Sequence, residues 1–408
     1  MLAGALLLIV LRAPEILLAP RFWAEEGMTY FTAALARPWY QALFTPHFGY
    51  LSLWANLSAW LATCVSIVDA PTVTTICALS VQLAPVVLIA YRPLELWQSE
   101  VQRAMALLCV VFVPLAGELW LNTINSQFYL SLTTFLLLID APSASTAVRW
   151  PRRGLLLLGG LTGVVSCFLA PLFVWRWYRE RSRDRLIDAA ILLGCSLVQA
   201  AMFWHMHQDP GVARRFMPLD VSTLGAILVT NSLLWCFAGL ETARAAATWL
   251  LAQRETIQFV WIGAGSLALM GGILAWLSYG LPRRRRIIGV AAYALLSVLS
   301  IVAATGSRTE KWVLIVPGFG GRYFYAPNVI LVLMLVANLN RGNSATRRSI
   351  AAVLLLAAWF NGATQFHNVP VKGPAWPEEI ARWRANPTYA PRIWPNGWSV
   401  QLPPPRED

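Results

Sequence analysis

The sequence is poor in charge. Only 13% of its 408 residues are Asp, Glu, Lys or Arg, whereas 57% are hydrophobic and the mean hydropathy is +0.56. Soluble domains carry about 25% charged residues, so this composition excludes an ordinary soluble protein and predicts a polytopic membrane protein. The first apolar run has no basic segment before it and no small-residue cleavage pattern after it, so we expect it to be retained as a helix.

Lysine is almost absent. Lys311 and Lys372 are the only two, so arginine supplies 30 of the 32 basic residues, which outnumber the 20 acids and give a net charge of +12. The arginines fall mainly in short clusters between apolar runs. Such clusters set membrane topology and contact anionic lipid, so we expect membrane lipid, and not nucleic acid, as a partner.

Disulfide and metal motifs are lacking as well. The six cysteines lie in or beside apolar runs without CxxC spacing, and the four histidines are scattered. This pattern favours thiols that pack as small side chains. We expect no metal site and no required cofactor, and a divalent cation held by a histidine and a glutamate is the alternative.

The apolar runs predict an all-α bundle of eleven or twelve transmembrane helices, because a span needs about 20 apolar residues. They cover residues 2–18, 49–68, 72–91, 102–119, 124–140, 154–176, 187–206, 257–280, 287–304, 326–340 and 349–362. Residues 222–251 predict either a twelfth span or a pair of helices on the surface. We expect one membrane domain, 1–362, followed by a Pro- and Trp-rich tail, 363–408, that packs on its outer face.

Arginine clusters predict the orientation. Those at 176–185, 283–286 and 341–348 belong in the cytoplasm, which places the segments 20–48, 207–256 and 305–325 outside. The cluster Arg149–Arg153 disagrees, because a count of eleven spans places it outside too. An alternative is that 154–176 forms two half-helices that enter and leave on the cytoplasmic side.

Two adjacent acids, Glu25 and Glu26, stand in the first outer segment. If 24–36 is a short helix on the membrane surface, Trp23, Tyr30 and Phe31 would sit at headgroup depth and the carboxylates would face a shallow cavity. Neighbouring helical residues point about 100° apart, so one acid alone can address a given substrate atom. One carboxylate suffices as a base when a sugar leaves a lipid phosphate, because the phosphate departs as an anion. The alternative is that both acids only solvate the loop.

The segment "GGRYFYAP", Gly320–Pro327, supplies a cation on the same face. Two glycines let the backbone approach a ligand, and the guanidinium of Arg322, with Tyr323 beside it, suits a phosphate. Arg214 and Arg215 are weaker candidates for this role. Alternatively, Arg322 reaches the lipid headgroups.

Uncharged polar residues complete the predicted site. Asn122, Asn125 and Gln127 are costly beside hydrocarbon, so they predict either sugar binding in a cavity or hydrogen bonds between helices. His47 and Tyr50 close the first outer segment and are candidates for the acceptor path.

These motifs resemble the C-type (GT-C) superfamily of integral-membrane glycosyltransferases, which use polyprenyl-phosphate sugars. "AEEG" (Ala24–Gly27) is similar to the acidic motif after the first helix. "GGLTGVVSCFLAP" (Gly159–Pro171) is similar to a Gly-rich span of that superfamily, without its frequent lysine, and the late "RY…P" matches Arg322, Tyr323 and Pro327. The resemblance implies a helical bundle with surface helices in the first outer loop, Glu25 or Glu26 as catalytic base with Glu25 preferred, and Arg322 on the lipid phosphate.

Together the residues and the resemblance predict an inverting glycosyltransferase of a bacterial inner membrane that acts on the periplasmic side. The donor would be a polyprenyl-phosphate sugar, and the acceptor a hydroxyl of a lipid-linked glycan, a polysaccharide or an exported protein. One alternative is a glycan polymerase or ligase that uses lipid diphosphates and depends on outer-loop Arg and His. Another is a non-enzymatic transporter or flippase, which should show inverted repeats.

Overall fold

The protein is helical almost throughout in a computed structural model that describes residues 1–92, 94, 96–114, 117–141, 145–208, 219–305 and 311–404. The α-helices are α1 Leu2–Arg12, α2 Pro14–Leu18, α3 Thr32–Ala36, α4 Trp39–Phe44, α5 Leu53–Thr63, α6 Ala70–Tyr91, α7 Glu100–Phe112, α8 Ser126–Ile139, α9 Thr146–Leu161, α10 Ala170–Glu180, α11 Arg183–His207, α12 Val221–Leu228, α13 Leu240–Ala252, α14 Ile257–Ser278, α15 Arg283–Ala304, α16 Tyr325–Asn338, α17 Ala345–Thr364 and α18 Trp376–Ala385. π-Helices cover Glu26–Phe31 and Val229–Ala238, and 3₁₀ helices cover Gly117–Leu119, Ser166–Leu169, Lys311–Ile315 and Gly321–Phe324. Strands β1 Arg392–Ile393 and β2 Trp398–Ser399 pair antiparallel.

The expected all-α membrane fold is confirmed, but the spans are less uniform than predicted. Five helices in the described ranges are long and apolar enough to cross a membrane: Ala70–Tyr91, Arg183–Met206, Val221–Ala238, Ile257–Ser278 and Arg283–Ala304. Other predicted spans are shorter apolar helices, such as α1 and α8. Residues 221–238 form one continuous helix, and α13 follows separately, so the first half of the uncertain stretch 222–251 has the length of a span.

Two helices form the centre of the bundle. Every residue of α8 and of α16 is buried, whereas the other long helices keep exposed apolar faces, as helices that face lipid do. Tyr129 and Tyr325 join the two helices edge to face, with ring centroids 4.8 Å apart. Both helices begin on the same side of the bundle, which we call the site face.

The opposite side, the basic face, carries a buried ion-pair network. Arg92 and Arg152 both bind Asp140, at 3.1 and 3.4 Å, and Arg152 also binds Asp188 at 2.9 Å. Arg185 donates to the carbonyl of Asp140 at 2.6 Å. The network joins the 149–153 cluster to the cluster at 176–185, so both lie on one face. The simple count of eleven spans is therefore wrong here.

The reason is a break in the predicted span 154–176. Helix α9 ends at Leu161, and α10 returns towards the basic face after the short helix Ser166–Leu169. Gly163 sits in the break with φ +81°, and a methyl group there would lie 2.2 Å from the Gln127 Oε1 atom. Gln199 holds the break in place, since its amide donates to the carbonyls of Leu51 and Gly163 at 3.0 and 3.2 Å. The alternative of two half-helices thus describes the chain.

The first outer segment is covered by the tail. The backbone of Trp394 pairs with Phe22, and the Trp376 indole donates to the carbonyl of Ile67 at 2.8 Å. Trp23, Tyr30 and Phe31 are buried in protein, so they do not present exposed rings to lipid headgroups as the sequence suggested. The aromatic side chains that are exposed here are Trp39, Tyr40, Phe44 and Phe48.

A carboxylate fixes the tail itself. Glu379 of α18 accepts hydrogen bonds from the Tyr389 hydroxyl at 2.6 Å and from the Arg392 guanidinium at 2.9 Å. These bonds tie α18 to β1, and Ile393, next in β1, packs in the same cluster as Phe22 and Trp376. The tail is therefore an ordered layer over the first outer segment.

Candidate functional site

A cavity of about 390 Å³ opens on the site face. Its polar walls come from five separate parts of the chain: Glu25, Tyr30, Tyr50, Asn125, Gln127, Ser300, Arg322 and Tyr323. Its apolar walls include the helix break, through Val164 and Val165, together with Phe203 and the end of α15. Glu25 and Arg322, almost 300 residues apart in sequence, therefore share one hollow.

The two adjacent acids have different surroundings. Glu25 is half-buried and lines the cavity, and no described residue donates a hydrogen bond to its carboxylate or pairs with it. Glu26 is 2% exposed and is absent from the cavity wall. Its Oε1 atom accepts from the backbone N–H of Thr123 at 2.9 Å and from the Thr123 hydroxyl, and its Oε2 atom accepts from the Trp23 N–H at 3.1 Å.

Glu26 is thus a structural residue, and its assignment as a candidate base is corrected. Burial raises its pKa above the ordinary value, although the hydrogen bonds from Thr123 and Trp23 act in the opposite direction. The carboxylate joins the π-helix to the loop before α8. Ala24, just before the pair, has φ +41°, and its N–H donates to the carbonyl of Trp394. This bend precedes the π-helix that begins at Glu26.

Arg322 is held by a residue that sequence reasoning missed. Its Nη1 atom lies 2.7 Å from Glu118 Oε1, and the two side chains are 32% and 37% exposed. Burial on its own lowers the pKa of Arg322, but Tyr323 and Glu118 outweigh that effect and raise it, so the guanidinium stays protonated. Gly320 precedes this turn with φ +66°, a conformation that glycine adopts without strain.

Glu118 also organises the loop before α8 through its backbone. Its carbonyl accepts from the amides of Asn122 and Asn125, each at 2.9 Å, and Asn122 Oδ1 accepts the Asn125 N–H at 3.2 Å. Asn122 does not line the cavity, so its predicted role in substrate binding is replaced by a structural one. Asn125 and Gln127 do line it.

The turn His47–Tyr50 contributes Phe48, Gly49 and Tyr50 to the cavity wall. Phe48 and Gly49 have φ of +55° and +90°, and His47 and Tyr50 exchange two backbone hydrogen bonds, as in a two-residue hairpin turn. Tyr50 lines the cavity and accepts a long hydrogen bond, 3.4 Å, from Gln127. The His47 ring instead packs on Tyr30, with centroids 4.6 Å apart, and stays outside the wall, so its predicted place on the acceptor path is not supported.

Two predicted residues, Arg214 and Arg215, lie outside the described residues. Within the described ranges no group of three or more His, Cys, Asp or Glu side chains could hold a metal ion. One signal could have revealed Glu118: it is an acid at the end of an apolar run, on the same face as Arg322, and opposite charges near each other attract.

No family model and no curated protein matches the chain. Two solved structures are similar to it: ArnT from Cupriavidus metallidurans bound to undecaprenyl phosphate, at 15% identity and a TM-score of 0.36, and ArnT from the same organism in the apo state, at 12% and 0.34. Each match covers 94% of this chain and 78% of ArnT.

Proposed function

We propose that this protein is a membrane glycosyltransferase that moves a sugar from a polyprenyl-phosphate donor to an acceptor hydroxyl. The observation that carries the proposal is the shared cavity, in which a carboxylate that has no partner among the described residues and a guanidinium face one hollow at the ends of buried helices. By the positive-inside rule the basic face lies in the cytoplasm, which puts the cavity on the periplasmic side of a bacterial inner membrane.

Glu25 is the base in this proposal. It takes the proton of the acceptor hydroxyl while the hydroxyl oxygen forms a bond to the anomeric carbon of the sugar. The bond from that carbon to the phosphate oxygen breaks, and the polyprenyl phosphate leaves with the bonding pair as an anion. Attack opposite the leaving group inverts the configuration. No general acid is needed because the leaving group is already a stable anion.

Arg322 and two helix ends receive the phosphate. Helices α8 and α16 start beside the cavity, and the N-terminal ends of helices favour anions. A guanidinium has five N–H donors, so Arg322 can bind phosphate beside Glu118 or exchange one for the other. The pair with Glu118 is partly exposed, and such pairs contribute only about 0–1 kcal/mol, so exchange costs little.

Transfer measured in nanodiscs with a panel of polyprenyl-phosphate sugars tests the base. We expect Glu25→Gln to lower kcat by about 10²–10⁴-fold with donor binding unchanged, as for loss of a general base. Glu26→Gln is the matched control. Its folded fraction should retain most of the activity, because its carboxylate does not reach the cavity. Full activity of Glu25→Gln would refute the assignment.

Donor binding tests the phosphate end separately. Arg322→Ala should weaken binding of the polyprenyl-phosphate sugar by about 10- to 100-fold, the effect of losing a charge-assisted hydrogen bond of about 1.5–3 kcal/mol. Arg322→Lys should recover part of it, since lysine keeps the charge but lacks the planar fork. Unchanged binding in Arg322→Ala would remove the phosphate role.

A further inference from the structure

A second cavity, of about 360 Å³, lies among the membrane helices and shares no lining residue with the site. Its walls are apolar side chains from the π-helix after α12 and from α14, α16 and α17. Leu269 and Ile350, at its rim, are 55% and 45% exposed. The cavity therefore opens sideways, towards the hydrocarbon of the membrane.

One end of this cavity reaches the basic face. Leu277 lines it, and the carbonyl of Leu277 accepts a hydrogen bond of 2.9 Å from Asn338, the last residue of α16. Trp276 also lines it, and the Arg347 Cζ atom lies 5.3 Å from the centroid of the Trp276 ring. The apolar space and a cation thus meet at one aromatic side chain.

A second arginine joins the first. Tyr279 has Arg347 Cζ at 5.5 Å and Arg286 Cζ at 5.1 Å from its ring centroid, so two guanidinium groups flank one ring. Throughout the described part of the chain no carboxylate lies within 4.0 Å of either group. Two neighbouring cations at the membrane edge are best compensated by an anion.

We propose that this cavity holds one acyl chain of an anionic phospholipid whose phosphate binds Arg286 and Arg347. An apolar cavity offers water no hydrogen bonds, so a hydrocarbon chain is its natural occupant. Basic pockets between helices at the cytoplasmic end bind anionic headgroups, and Trp and Tyr mark that depth. A second copy of the protein would bring the same arginines into the contact and be repelled. This inference does not rest on the proposed function.

Glycine gives a sharp test. A side chain at Gly272, in the cavity wall, meets no atom within 4 Å, and neither does one at Gly271, next to it but outside the wall. Gly272→Leu should fill the cavity, whereas Gly271→Leu should point into lipid. Native mass spectrometry of the full chain, after exchange into phosphatidylglycerol or phosphatidylcholine with identical chains, would count the retained lipids.

We expect wild type and Gly271→Leu to retain phosphatidylglycerol over phosphatidylcholine, and Gly272→Leu to lose this bound lipid. Arg347→Gln and Arg286→Gln should each weaken phosphatidylglycerol retention about fivefold, the effect of one arginine at a membrane surface. Equal retention of both lipids by wild type, or wild-type retention in Gly272→Leu, would overturn the proposal. So would a dimer that Gly272→Leu dissociates. If Gly272→Leu does not fold, the arginine variants decide alone.

Discussion

The Glu26 carboxylate accepts hydrogen bonds from the Thr123 N–H, the Thr123 hydroxyl and the Trp23 N–H. Glutamine would replace one of its two oxygens with an NH₂ group, which cannot accept. In the least costly orientation the glutamine oxygen keeps both donors of Thr123, and its NH₂ group faces the backbone N–H of Trp23. That N–H is then buried without an acceptor, at a cost of about 1–3 kcal/mol. Glu25→Gln, which loses no hydrogen bond within the described chain, should change the free energy of unfolding by about 0.5 kcal/mol or less.

Equilibrium unfolding in mixed micelles with rising SDS fraction would measure both variants at one pH. A pH series adds a signature. Since burial raises the pKa of Glu26 from 4.5, its contribution to stability is complete below 4.5 and is lost as the pH rises through the folded-state pKa. Glu26→Gln should abolish that slope. Equal losses in the two variants, or a greater loss in Glu25→Gln, would refute the separation of the two acids on which the site depends.

Three further results are expected. Gly163→Ala should destabilise the helix break by about 1–3 kcal/mol because its methyl group would collide with Gln127, whereas Gly194→Ala, which meets no atom within 4 Å, should not destabilise the protein in the same assay. Burial lowers the pKa of His47 from 6.5 to about 4, so its stabilising effect, complete above 6.5, is lost as the pH falls towards 4. His47→Gln should leave the pH dependence of the transfer rate unchanged above pH 5. A change of rate near pH 6.5 that wild type shows and His47→Gln lacks would contradict this. Burial alone raises the pKa of Glu379, but its hydrogen bonds outweigh that and lower it to about 2, so stabilisation is complete above 4.5 and fades as the pH falls towards 2. Glu379→Gln should speed limited proteolysis of the tail at pH 7 and have little effect at pH 2.

The helical class of the fold could be predicted because it depends on composition alone. Scarce charge and long apolar runs leave few other folds for the backbone in a bilayer, where its polar groups must be satisfied internally. The meeting of Glu25 and Arg322 was predictable for a related reason. Charged residues in such a chain gather where apolar runs end. Two such ends lie on the same face when an even number of membrane crossings separates them.

The difference between Glu25 and Glu26 could not be predicted from the residues themselves, because it depends on distant partners, and only the family resemblance favoured Glu25. Thr123 lies 97 positions from Glu26, and the tail residue that bends the chain at Ala24 lies 370 positions away. Neighbouring residues of the same type give sequence reasoning no means to separate them. The same tail explains why Trp23 is buried in protein, since hydropathy cannot tell a side chain that faces lipid from one that faces another segment.

The arginine cluster 149–153 shows where span counting fails. Hydropathy averages over a window of about 19 residues, so the turn at Gly163 is invisible inside the run 154–176. Yet an interrupted helix is what a membrane protein needs at a polar site, because irregular backbone is tolerated there only if it lines a cavity or is buried in protein. Val164 and Val165 meet that condition in the cavity wall, and Gln199 satisfies the exposed carbonyl of Gly163. The unexpected side of the arginine cluster 149–153 therefore indicated the broken helix that lines the cavity.

Glu118 connects Arg322 to the loop before α8. Its carboxylate neutralises Arg322, and its carbonyl orders the amides of Asn122 and Asn125. In the proposed function, a partly exposed partner that exchanges with phosphate would let the protein fold without its donor and still bind an anion. Glu25 is half-buried in the same cavity and has no partner among the described residues. The proposed mechanism uses this difference, because it needs one carboxylate to accept a proton and a second to hold the cation in place.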